Sequence, residues 1–251
     1  MDPTEPIFTQ RAFVEKNLEL DTSWDKTSTG NALEMAPGVS WVFAQRLELD
    51  AEVPFGLQIP RQGATVGSLG DIAFGAQLLL CCGPEGLLDY FSVRADVATP
   101  TGSVAKGIGG TGSWTVSVLP ARRFTIAQQL PDLMVQMQLA YAEDIRASPA
   151  AAGDSNVRQK SFLWNTAFAQ QYFEGRIRPV LELLGTTVVD AADPANQQTV
   201  VELAAGVWTA PFSDDSVLSP LSIGFGWKWP VVNRLESEIT GVVIFEWSFG
   251  V

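Results

Sequence analysis

Arg46-Leu47-Glu48-Leu49-Asp50-Ala51-Glu52-Val53-Pro54-Phe55 alternates charged and apolar side chains, one by one, as far as Val53. In an extended strand, successive side chains point to opposite faces. Leu47, Leu49, Ala51, Val53 and Phe55 therefore share one face, and Arg46, Glu48, Asp50 and Glu52 share the other. A strand this polarised has two physical solutions. Its apolar face packs on a second sheet, or it faces lipid while the charges line the inside of a closed barrel.

The same period of two runs outward from this stretch in both directions. Leu18, Leu20 and Trp24 alternate with Asn17, Glu19 and Asp21; Leu33, Met35, Val39 and Trp41 alternate with Glu34, Gly38 and Ser40. Ile72, Phe74, Ala76 and Leu78 oppose Asp71, Gly75 and Gln77, and Phe91, Val93 and Val97 oppose Ser92, Arg94 and Asp96. Trp114, Val116 and Val118 oppose Thr115 and Ser117; Leu133, Val135, Met137 and Leu139 oppose Gln136 and Gln138. Phe162, Trp164 and Phe168 follow with Asn165 and Ala167, then Ile177, Leu181 and Leu183 with Arg176, Arg178 and Glu182. Val201, Leu203 and Val207 alternate with Glu202 and Gly206, Phe225, Trp227 and Trp229 with Gly226 and Lys228, and Ile239, Val243, Phe245 and Trp247 with Glu238 and Glu246. That predicts about twelve strands, an even number, each near the ~9–11 residues that a tilted membrane strand needs.

Composition agrees. Hydrophobic residues make up 46% of the 251 and charged ones only 18%, yet no run approaches the ~20 consecutive apolar residues of a membrane helix. The expected fold is all-β: a single transmembrane antiparallel barrel spanning residues 12–251 behind an N-terminal extension, 1–11. Short junctions near Gln45-Arg46 and Phe173-Glu174-Gly175 alternate with Gly-, Pro-, Ala-, Ser- and Asp-rich connections near 56–69, 99–112, 143–160 and 186–197. Short periplasmic turns and longer outer loops are the habit of bacterial outer-membrane barrels. Pro37 and Pro179 fall inside strands, where each removes a ladder donor, so a bulge is expected at each. Trp24, Trp114, Trp208 and Trp229, near strand ends, are candidates for interfacial girdles. The closing Gly241–Val251 segment resembles the C-terminal strand signal of barrel assembly, although it ends on Val251 rather than on an aromatic residue.

Several function classes are disfavoured. A net charge of −12 lacks the basic surface that neutralises phosphate, so no nucleic-acid partner is expected. The chain has no histidine, which removes Ser-His-Asp and Cys-His chemistry and His-ligated metal sites. No catalytic residue, metal or cofactor is singled out. Cys81 and Cys82 are adjacent and cannot staple distant segments; a vicinal bond or two free thiols both fit, and they read first as incidental thiols in a turn. The Gly107–Gly112 run lacks the Lys-Ser/Thr of a P-loop and reads as a flexible loop. Met1-Asp2-Pro3-Thr4-Glu5-Pro6 has neither a basic nor an apolar signal region, so a mature outer-membrane form is expected, its signal peptide removed.

Pro37-Gly38-Val39-Ser40-Trp41, Glu52-Val53-Pro54-Phe55, Gly70-Asp71-Ile72-Ala73-Phe74-Gly75, Thr99-Pro100-Thr101-Gly102 and Gly107-Ile108-Gly109-Gly110-Thr111-Gly112-Ser113-Trp114 occur in this order. Together they resemble the outer-membrane barrels described as components of the meta-cleavage pathway of phenol degradation, or simply as transporters. The resemblance covers most of the first half, and the second half mainly through its strand pattern. It implies a barrel with an uptake role, and it does not make phenol the ligand.

The candidate functional residues are those expected to point inward. The acids are Glu19, Asp21, Glu34, Glu48, Asp50, Glu52, Asp71, Asp96, Glu182, Glu202, Glu238 and Glu246; the bases are Arg46, Arg94, Arg176, Arg178 and Lys228. Two readings stay open. These charges line a small acid-rich pore that passes small cations or neutral solutes, since carboxylates concentrate cations. Alternatively they pair across strands and close the lumen, leaving a structural barrel that scaffolds partners. Lipid is the expected environment in either case.

Overall fold

A computed structural model describes all residues except 1–5, 8, 28, 83–86, 107, 128–129, 147–157, 191–197, 213–217, 234–236 and 249–251. Among the described residues fourteen strands run in chain order: β1 (Asn17–Thr27), β2 (Gly30–Phe43), β3 (Leu47–Glu52), β4 (Phe55–Pro60), β5 (Val66–Leu69), β6 (Ala73–Cys82) and β7 (Tyr90–Ala98). After one short 3-10 turn (Val104–Lys106) come β8 (Ser113–Phe124), β9 (Leu133–Asp144), β10 (Lys160–Gln170), β11 (Ile177–Asp190), β12 (Thr199–Thr209), β13 (Leu221–Val232) and β14 (Ser237–Ser248).

Neighbours pair antiparallel throughout, and β1 pairs with both β2 and β14, which closes the sheet. Within the wall, β2 pairs first with β4, over Gly30–Met35, and then with β3, over Gly38–Phe43. The partners β5 and β6 divide in the same way, on β4 and β3 respectively. So β3–β4 and β5–β6 are each one wall strand with an interruption, and the barrel has twelve strands.

The first interruption has a local cause. Val53-Pro54 stands beside Ala36-Pro37 of β2, and two prolines at one place in a ladder remove donors from both strands. Val53 N–H still reaches the Pro37 carbonyl at 3.0 Å, and Gly70 N–H reaches the Pro54 carbonyl at 2.7 Å. Pro37 is thus accommodated at a strand break. Pro179 needs no bulge: it pairs in register with Val207, and the β10 ladder ends one residue later, at Val180. The stretch read as a loop over 56–69 is a hairpin, with only 61–65 between β4 and β5.

Both ends of the wall's chain, Asn17 and Ser248, are register partners at one rim. The strand ends that flank the two longest connections, 99–112 and 145–159, are at the opposite rim, as are those that flank the short junction between β1 and β2. Of the expected loops near 143–160 and 186–197, residues 147–157 and 191–197 lie outside the described residues. Cys81 is an exposed residue of β6 rather than part of a turn.

The faces sort as the alternation requires. Leu49, Phe74, Val116, Leu139, Leu181, Trp227 and Phe245 are exposed on the outside, while Gln77, Ser117, Gln136, Gln138, Asn165 and Glu182 are buried inside. An exterior of this kind is stable in hydrocarbon, because a closed barrel leaves no unpaired backbone edge. Near the far rim, Tyr141 stacks against Trp114 and Phe162, with ring centroids 5.3 Å apart in each pair. Trp208 belongs to no girdle: it points inward, is 2% exposed, and lies under the Arg178 guanidinium and against Gly224.

Candidate functional site in the barrel lumen

The interior is not empty. Residues 6–7 and 9–16 precede β1 and cross the lumen as an irregular strap, held by side chains of the wall. A segment without secondary structure has backbone donors and acceptors to satisfy, and here the inward polar residues satisfy them. Glu182 accepts from the Ile7 and Thr9 amides, each at 2.7 Å. Gln136 accepts from Ala12 N–H at 3.1 Å, and Glu48 from Glu15 N–H at 2.7 Å. In return, Gln77 donates to the Arg11 and Phe13 carbonyls, at 3.2 and 3.0 Å, and Ser92 donates to the Ala12 carbonyl at 2.5 Å.

Apolar contacts seat the strap at two places. Ile7 packs with Ala169, Val180, Trp208 and Ile244 on one side of the barrel. Ala12 packs with Leu119, Ala121 and Met134, and the Phe13 ring lies 6.2 Å from that of Tyr90. The expected boundary between extension and barrel, at residue 12, falls inside this strap. The wall itself begins at Asn17.

Beside the strap lies a cavity of about 250 Å³. Pro6, Ile7, Thr9, Gln10 and Arg11 form its strap side; the wall contributes Glu19, Asp21, Glu48, Asp50, Glu52, Arg94 and Glu246. The register explains why the acids converge. Glu19 pairs with Glu246 on one side and with Gly38 on the other, and Gly38 pairs with Glu52. Three carboxylates therefore share one row around the wall, with a glycine between two of them.

Two arginines answer these acids. Arg94 lies across Gly75, where any Cβ would overlap its guanidinium, and donates to Asp50 at 2.8 Å and, through Nε, to Asp96 at 2.7 Å. It also stands 3.8 Å from Glu48, which is 1% exposed. Arg11 comes from the strap, 3.3 Å from Glu48 and 4.0 Å from Glu246. Elsewhere in the lumen, Lys228 pairs with Glu202 at 3.2 Å, and Arg178 donates to Ser222 at 3.1 Å.

Seven of the residues expected to point inward thus meet in one cavity, and Asp96, Arg178, Glu182, Glu202 and Lys228 lie elsewhere on the inner wall. Glu34 is on the inner face of β2 but exposed, between Leu33 and Met35, which point outward. Glu238 is in β14, and its side chain lies outside the described residues. Three residues are placed differently. Arg46 and Arg176 are exposed in rim turns, where Ala44, Gln45, Phe173 and Glu174 adopt positive φ.

Asp71 sits at the β5–β6 interruption and organises the 99–112 loop: it accepts from Gly102, Gly110 and Gly112 N–H at 2.8, 2.7 and 2.9 Å. Thr101 ties the same loop to Ile72 N–H and the Gly70 carbonyl, at 2.9 and 3.0 Å. The Gly70–Gly75 and Thr99–Gly102 motifs are therefore two halves of one latch. The loop turns Ile108, 5% exposed, onto Gly56 of β4. Gly107 lies outside the described residues.

No protein family and no curated protein matches the sequence. The fold does have solved counterparts. The COG4313 outer membrane channel from Pseudomonas putida F1 superposes with a TM-score of 0.67 at 10% identity, over 98% of this chain and 100% of the other. The NanC porin superposes at 0.60 with 11% identity, over 93% and 100%. The translocator domain of the autotransporter NalP from Neisseria meningitidis superposes at 0.58 with 12% identity, over 94% and 89%. At such identities the likeness is one of fold, that of outer-membrane β-barrels.

Proposed function

We propose that this protein is a passive channel of a bacterial outer membrane, passing small cations or neutral solutes through an acid-rich lumen narrowed by its own N-terminal segment. The observation that carries this reading is the cavity between the strap and the wall. Its lining has six carboxylates against two guanidiniums, and a low-dielectric wall focuses such an excess into a field that concentrates cations. The channel and porin among the solved counterparts favour transport; the translocator domain among them means that the fold alone does not decide it.

A second reading has its own support. The strap is bonded to wall residues on several sides, and Arg94 and Lys228 each neutralise carboxylates, as in a barrel that is closed and holds partners through its loops. Osmotic swelling of proteoliposomes separates the two. A channel gives swelling rates that fall as neutral solutes grow larger; a closed barrel gives the rate of protein-free vesicles for every solute.

A further inference from the structure

We propose that Arg11 sets the charge selectivity of the lumen, acting as a built-in counter-cation that the strap carries to the wall carboxylates. The inference rests on the channel reading above and adds a residue that the strand pattern does not contain. Glu48 and Glu246 are 1% and 2% exposed, and a carboxylate withdrawn from water to this extent needs a compensating positive charge. Arg94, the wall's own base in this cavity, bonds to Asp50 and Asp96 and stands farther from Glu48 than Arg11 does, 3.8 against 3.3 Å. Glu246 has Arg11 at 4.0 Å and accepts from Ser248 at 3.1 Å.

Arg11 is held where it is by more than charge. Its carbonyl accepts from Gln77 at 3.2 Å, its guanidinium lies 5.8 Å from the centre of the Phe13 ring, and the next residue, Ala12, is fully buried. The guanidinium thus lines the solute path at a fixed place, facing the row formed by Glu19, Glu52 and Glu246. It offsets part of the acid excess that draws cations in. Removing its charge deepens the cation preference, and removing a carboxylate while Arg11 remains makes it shallower.

The test is the zero-current potential of the full-length protein in a planar bilayer under a KCl gradient, for the wild type, Arg11→Gln, Arg11→Lys and Glu246→Gln. The expected result is a several-fold higher cation-to-anion permeability ratio in Arg11→Gln, a ratio near the wild-type value in Arg11→Lys, and a lower one in Glu246→Gln. Should Arg11→Gln fail to fold, Arg11→Met takes its place, with the same several-fold rise expected. Conducting variants with wild-type selectivity overturn the role of Arg11 and leave the channel reading standing. Folded protein that conducts in none of the four forms overturns the channel reading itself, and this inference with it.

Discussion

Ile7 and Glu182 are 175 residues apart in the chain and 2.7 Å apart in the lumen, where the Ile7 amide donates to one carboxylate oxygen and the Thr9 amide to the other. One buried acid of β11 therefore satisfies two donors of a segment that has no ladder of its own. Hydrogen bonds to a charged acceptor are among the stronger ones, and a buried donor left without its acceptor costs about 1–3 kcal/mol.

Glu182→Ala should accordingly loosen the strap and leave the wall closed. Hydrogen–deuterium exchange read by mass spectrometry should show residues 6–16 exchanging faster by about one to two orders of magnitude, the equivalent of losing ~1–3 kcal/mol at that end. Peptides from β8 and β9 should keep wild-type protection. Unchanged exchange in the strap would mean that Glu182 does not hold it.

Asp71→Ala should unlatch the 99–112 loop. Its carboxylate gathers three glycine amides, and two of those glycines, Gly110 and Gly112, have positive φ, so the loop conformation relies on that acceptor. Limited proteolysis of the folded variant should cut within 99–112 under conditions that leave the wild type intact. Equal resistance would show that the latch is dispensable.

Gly75→Val should be destabilising, because its Cβ would stand where the Arg94 guanidinium meets Asp50. Parting this partly buried pair and crowding the wall should cost about 1–3 kcal/mol. The temperature at which the folded gel band converts to the unfolded one should fall. Gly38→Ala, whose added Cβ would meet the Ala51 carbonyl at an ordinary 3.5 Å, should change it little.

Leu139 and Gln138 are neighbours in β9 on opposite faces, 48% and 4% exposed. Leu139→Arg should raise the free energy of folding into vesicles by about 2–4 kcal/mol, the cost of a charge on the lipid face near mid-membrane. If the outer face met water or another sheet instead of lipid, this penalty would not depend on the presence of the bilayer.

The wall was legible because its signal is local. Leu47 and Glu48 declare their faces by being neighbours, and the repetition of that contrast gives the strand number. Trp208 was misread as a girdle residue from its place near a strand end, although it shares the parity of Glu202 and Gly206, which places it inward. Arg46 and Arg176 have the inward parity but lie past the last ladder pairs, in the short junctions near Gln45-Arg46 and Phe173-Glu174-Gly175, where the chain turns and parity no longer sets a side chain's face. Asp71 keeps the parity as well, at a point where the strand has stopped.

The strap was not legible, because nothing periodic marks this stretch and the wall groups it hydrogen-bonds lie 33 to 175 residues away. The one hint was in the wall. Gln77, Gln136, Gln138 and Glu182 are inward polar groups in a narrow barrel, and buried amides and acids require partners. Among the resemblance motifs, Asp71 of the Gly70–Gly75 stretch meets Gly102, Gly110 and Gly112 of two others, a contact that their separation in the chain does not show.

Single-channel recording of the detergent-purified wild-type protein in a planar bilayer, with Asp50→Asn and Glu52→Gln beside it, tests the central claim most directly. An acid-lined path predicts discrete, cation-selective steps that weaken when either carboxylate is neutralised. A barrel that runs as folded on an unheated gel and gives no steps at any voltage would contradict it, and would leave a lumen sealed by residues 6–16 and their bonds to the wall.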